Sequence, residues 1–125
     1  MLSPVHEWIT KATNDLACAK SLLNLGDEYY NQICFLTQQA IEKLLKAYLI
    51  KNDKELTKTH DLVKLNSDCM EINSAFAQWK EAALTLTIYS VDFRYPGEDA
   101  TKTEAIESVS LAEEIFKFII EELKK

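Results

Sequence analysis

YYNQICFLTQQAIEKLLKAYLIK, Tyr29 to Lys51, decides the fold class. Tyr29, Ile33, Leu36, Ala40, Leu44 and Ala47 recur at steps of three and four, and Tyr30, Cys34, Ile41, Leu45 and Tyr48 form a second stripe beside them. Such spacing is the mark of a helix that buries one side. Two adjoining stripes make an unusually wide apolar face, so the segment from about Asp27 to Lys51 is expected to lie centrally and to touch two or more neighbours. Its polar remainder is narrow: Gln39, Lys43 and Lys46 stand at i, i+4 and i+7, and Glu42 is placed to pair with Lys46.

The flanking segments carry the same periodicity. Ahead of it, Ser3 and Pro4 make a good helix start, because serine caps free amides and proline is tolerated at the first helical position. Val5, Ile9, Ala12, Leu16, Ala19 and Leu23 continue as one stripe, and Gly26 supplies a left-handed cap. After the polar loop NDKELTK, Thr59 is the expected cap of a short third helix. Ile72, Phe76, Trp79, Ala83 and Leu86 predict a fourth helix from about Asn73 to Tyr89. Pro96 and Gly97 signal a turn. A fifth helix is expected from Thr101 to Thr103 onward, burying Ile106, Val109, Ala112, Phe116, Ile119 and Leu123. The reading is all-α: residues 1–125 form a single domain, an up-and-down antiparallel bundle of four long helices and one short one. A helix face left uncovered would also allow a dimer.

Composition agrees with this and closes several other routes. The chain has 125 residues, 47% of them hydrophobic, with only two glycines and two prolines, which suits long helices with short turns. A net charge of −6 argues against general attraction to duplex nucleic acid, which needs a broad basic footprint. Charge is nevertheless uneven. Five lysines face two acids between residues 43 and 60, whereas the last 28 residues hold eight acids against four lysines. Cys18, Cys34 and Cys69 are odd in number and widely spaced, which fits packed, reduced thiols rather than a disulfide framework or a zinc site. No leader pattern or membrane-length apolar run is visible, so a cytoplasmic protein is expected.

Familiar catalytic and metal motifs are missing. There are two histidines, His6 and His60; no Glu-x-x-His pair, phosphate loop, His-Glu-x-x-His or Gly-x-Ser-x-Gly occurs, and neither a metal nor a cofactor is called for. What remains is a dispersed set of candidates. Gln39, Lys43 and Lys46 share the polar side of the second helix, His60 and Asp61 open the third, and Arg94 and Tyr95 precede the fifth. Arg94 is the only arginine. Guanidinium is the group suited to planar, two-point binding of phosphate or carboxylate, so Arg94 either grips a ligand or braces the turn against a carboxylate.

Five stretches in order resemble the HEPN domain, the higher eukaryote and prokaryote nucleotide-binding domain. They are A-x-x-D-L-x-x-A (Ala12 to Ala19), C-F-L-T-Q-Q-A-I-E-K-L-L-K-A (Cys34 to Ala47), K-T-H-D-L (Lys58 to Leu62), R-Y-P (Arg94 to Pro96) and A-E-E-I-F-K-F-I (Ala112 to Ile119). The resemblance spans about residues 5 to 123. It implies a bundle of about five helices, a homodimer, and a small nucleotidyltransferase as partner, in the manner of a toxin–antitoxin pair. Many such proteins are RNA endonucleases in which an arginine is followed, after four to six residues, by a histidine. Here the corresponding positions are Asp99, Ala100 and Thr101, so the resemblance favours the noncatalytic, nucleotide-binding branch. On that reading Lys43 and Lys46 supply charge, His60 a hydrogen bond, Arg94 a grip on phosphate, and Tyr95 or Tyr48 a stacking surface, with Gln39 and Asp61 completing the site. The alternatives are an RNA endonuclease with a displaced acid/base such as His60, and a noncatalytic dimeric adaptor.

Overall fold

The computed structural model describes residues 3–26, 28–90 and 94–125. Five α-helices account for most of them: α1 (Pro4–Leu25), α2 (Tyr30–Lys51), α3 (Leu62–Ile72), α4 (Lys80–Tyr89) and α5 (Lys102–Leu123), with a 3₁₀ helix over Ser74–Trp79. No strand occurs among the described residues.

Local chemistry sets most of the ends. Ser3 Oγ accepts the His6 amide, and Pro4 opens α1. Gly26 ends it at φ 118°, a backbone setting open to glycine and strained for other residues. Its ψ of −155° is extended, so the cap is a glycine break and not a left-handed helical turn. Helix α2 starts at Tyr30, later than the periodicity suggests, and the expected start at Asp27 lies outside the described residues. The cap of α3 is Asp61, whose carboxylate accepts the Val63 amide at 2.9 Å, while Thr59 Oγ1 instead accepts the Asp61 amide at 3.0 Å. Thr59 thus shapes the turn before the cap. Residues 74–79 are the tighter 3₁₀ form, because the Asn73 side chain accepts the Ala75 amide and starts a separate turn before α4. Three helices are therefore long and two short, against the four and one expected. The Glu98 amide donates to Tyr95 O at 3.0 Å across the turn at Pro96 and Gly97. Thr101 and Glu104 then form a reciprocal capping box at the start of α5.

Helices α1 and α2 are antiparallel, with Asp15 meeting Lys43 and Lys46 lying over the Trp8 ring. Helices α4 and α5 are also antiparallel: Tyr89 bonds Glu107 at one end and Trp79 packs on Phe118 at the other. Helices α2 and α5 run in the same sense, pinned at their starts by Asn31 on Ala100 N and at their ends by Lys51 on Leu123 O. The loop from 52 to 61 makes this possible by climbing back along α2, so that His60 is level with Glu42.

The core centres on α2, from which Ile41, Leu44, Leu45, Tyr48 and Leu49 pack against Leu62, Leu65, Phe76, Leu86, Ile115 and Ile119. A second cluster joins Ile33 and Cys34 to Ala19, Ala100, Ala105 and Val109. Two expectations fail here. Ile106 is 48% exposed, because Ala105 and Ser108 turn inward in its place. Cys18 is exposed, whereas Cys34 and Cys69 are buried.

Candidate functional site

Gln38, Glu42 and Lys46 stand one helical turn apart on α2, a row that faces the loop before α3. Glu42 is the centre. Its side chain is only 5% exposed, although it carries a carboxylate. A buried charge is costly unless it is paired and hydrogen-bonded, and Glu42 has three polar partners. Lys46 Nζ lies 3.0 Å from Oε2, Gln38 Nε2 lies 3.2 Å from Oε1, and His60 Nδ1 lies 2.9 Å from the same Oε1. Gln38 also donates to the His60 carbonyl at 2.7 Å, and Gln39 donates to Gln38 Oε1 at 3.0 Å. The result is one continuous network from Gln39 to Lys46. It ends in an imidazole whose side chain is 70% exposed.

Of the residues singled out from sequence, Gln39, Lys46 and His60 meet in this network. Lys43 lies beside it on α2 and is paired with Asp15 of α1. Asp61 follows His60, but its carboxylate occupies the N-terminus of α3. The free amides at a helix start suit an anion, and here a protein carboxylate takes that place. Lys46 is likewise balanced, by Glu42 on one side and by the Trp8 face at 5.8 Å on the other.

Arg94 and Tyr95 belong to a different corner. The Arg94 side chain is 11% exposed. Its Nε donates to Tyr89 O at 3.2 Å, Nη1 to Asp99 O at 3.4 Å and Nη2 to Glu104 Oε1 at 2.9 Å. That is the bracing arrangement, which ties the end of α4 to the start of α5. Burial pushes the Cys34 thiol up, an effect eased by the Ser108 hydroxyl and by the Arg94 charge, so Arg94 lies near Cys34. Cys34 is about 12 Å, two turns, before Glu42 along α2. The polar cavity at this end, of about 210 Å³, is lined by Glu28, Tyr30, Asn31, Asp99 and Ala100, and its two acids disfavour an anion. Tyr95 is 77% exposed and offers a ring to solvent, whereas Tyr48 is buried against Phe76.

Sequence reasoning finds the Glu42–Lys46 pair but misses Gln38 and the burial of Glu42. The available signal is their setting: both lie among Ile41, Leu44 and Leu45 on a helix with apolar residues on two stripes. Metal chemistry finds no cluster of three or more ligating side chains among the described residues.

The HEPN domain model matches residues 5–123. The chain belongs to the HEPN family. Among solved structures, this HEPN chain is similar to TT1696 from Thermus thermophilus, with 29% identity over 96% of this chain and 98% of that one and a TM-score of 0.82. It is also similar to ST0689, an archaeal HEPN homologue, with 26% identity over 97% and 98% of the two chains and a TM-score of 0.75. No curated protein matches. No helix among the described residues is long and apolar enough to cross a membrane.

Proposed function

We propose that this HEPN protein binds a nucleotide on the face formed by Gln39, Lys43, Lys46 and His60, and that it works as a homodimer beside a small nucleotidyltransferase. The observation that carries the reading is the exposed His60 ring tied through Nδ1 to buried Glu42. An exposed side chain usually loses rotamer entropy when it meets a ligand; one already held loses less. The family's nucleotide-binding character agrees with it, and the positions that would carry the nuclease histidine are Asp99, Ala100 and Thr101. Arg94 is left out of the contact set because its three donor nitrogens are engaged within the protein.

Calorimetry with ATP tests the reading. His60→Ala should weaken binding by about tenfold, the loss of one good hydrogen bond. Equal affinity in wild type and His60→Ala would remove this face. A tenfold loss in Arg94→Ala, with the fold intact by circular dichroism, would move the site to the other corner. RNA cleavage that His60→Ala abolishes would replace binding with catalysis. Co-purification with a nucleotidyltransferase encoded beside it tests the partnership.

A further inference from the structure

The contact between His60 and Glu42 determines more than orientation. Nδ1 and Oε1 are 2.9 Å apart, a separation that requires a hydrogen between them, and an ionised carboxylate can only accept. With Lys46 on its second oxygen, Glu42 serves as the acceptor in this contact, which assigns the proton to Nδ1. In the neutral ring the other nitrogen, Nε2, then offers a lone pair, and it has no hydrogen-bond partner among the described residues. Both sides of the residue are held as well: Gln38 donates to the His60 carbonyl, and Thr59 Oγ1 accepts the next amide.

The charged side chains of α2 and the cap of α3 beside this ring are each engaged within the protein. Glu42 faces it from α2 with Lys46 on its second oxygen, Lys43 is paired with Asp15, and Asp61 caps α3. A face without a clear positive excess has little preference for bare phosphate. It does have one fixed, outward acceptor.

We propose that Glu42 is a positioning residue that holds His60 with Nε2 as an outward hydrogen-bond acceptor, so that the site takes a donor of the ligand. In a nucleotide that donor is assigned to a ribose hydroxyl, with a base amino group as the outcome the test separates. The choice of ribose rests on the nucleotide-binding reading above; the positioning role of Glu42 does not. Because the ring is exposed, a ligand lacking the hydroxyl leaves this acceptor to water, and the expected discrimination is that of one hydrogen bond, about tenfold.

Two measurements test it. Nitrogen-15 NMR of the wild-type imidazole, read at a pH where the ring is neutral, should show a protonated Nδ1 and an unprotonated Nε2. Glu42→Gln, which keeps an oxygen acceptor, should preserve that pattern, and Glu42→Leu should lose it. A proton on Nε2 in the wild type, or an unchanged spectrum in a folded Glu42→Leu, overturns the positioning role; if Glu42→Leu does not fold, the wild-type spectrum still decides. In calorimetry, ATP should bind about tenfold tighter than 2′,3′-dideoxy-ATP, and His60→Ala should erase the difference. Equal affinities for ATP and its dideoxy form would overturn ribose selection, pointing to the base if tripolyphosphate binds more weakly and to a polyanion site if it binds equally well. No binding of any of the three would overturn the nucleotide-binding reading and ribose selection together, with the NMR result still deciding on Glu42.

Discussion

Arg94 Nη2 and the backbone amide of Thr101 both donate to a single oxygen, Glu104 Oε1, each at 2.9 Å. One carboxylate thereby closes the capping box of α5 and fastens the chain arriving from α4. Arg94→Ala removes a largely buried guanidinium and leaves Glu104 with only its cap contact. The expected loss is about 2–3 kcal/mol in urea denaturation. A loss below about 0.5 kcal/mol would show that the corner holds without it.

Glu104 also makes stability depend on acidity. Burial alone would push its carboxyl up, but the Thr101 amide, Arg94 and the Thr101 side chain together hold it below its ordinary value of 4.5. A depressed carboxyl stabilises the fold above the unfolded-state value, and the contribution disappears as pH falls through the folded-state value. The urea midpoints of wild type and Glu104→Gln should therefore converge as pH falls below the ordinary carboxyl value of 4.5. A gap that stays constant as pH falls would contradict the assignment.

Thiol chemistry should separate the three cysteines. Burial pushes Cys69 up to about 12 and also raises Cys34, whereas Cys18 is exposed. Thiolate is the reactive form. Iodoacetamide at mild alkaline pH should label Cys18 in the folded protein and reach the other two only in denaturant, as read by mass spectrometry. Rapid native labelling of Cys69 would argue against its packing between α3 and α2.

Phe76 fills the centre of an aromatic cluster, 4.7 Å from the Tyr48 ring and 5.0 Å from that of Phe118. Phe76→Ala should cost about 3–5 kcal/mol through lost burial and the cavity left behind. Phe76→Leu should recover much of that. Equal midpoints for both variants and wild type would mean that the 3₁₀ segment contributes little to the core.

How far the chain can be read depends on the range of the interaction. Ser3, Thr101 and the Pro96–Gly97 turn act within a few residues, and each lies where the sequence puts it; Gly26 likewise ends α1, though with an extended ψ. Thr59 and Asp61 are not told apart by sequence, because either side chain can accept an amide in the same turn; only the chain's entry direction selects between them. Ile106 and Ala105 differ by one position on α5, and the periodicity tolerates that rotation until the neighbours are in place.

By itself the sequence determined the helical class, the wide face of α2 and the Glu42–Lys46 pair, since these follow from the 3.6-residue repeat and from contacts one turn apart. Tertiary structure alone decided that α2 and α5 run in the same sense, that Arg94 serves Glu104, and that Glu42 is buried with His60, eighteen residues away, as its partner. Such relationships arise when a loop of no fixed period folds back along a helix. The desolvation of one carboxylate then demands donors that no local spacing could name.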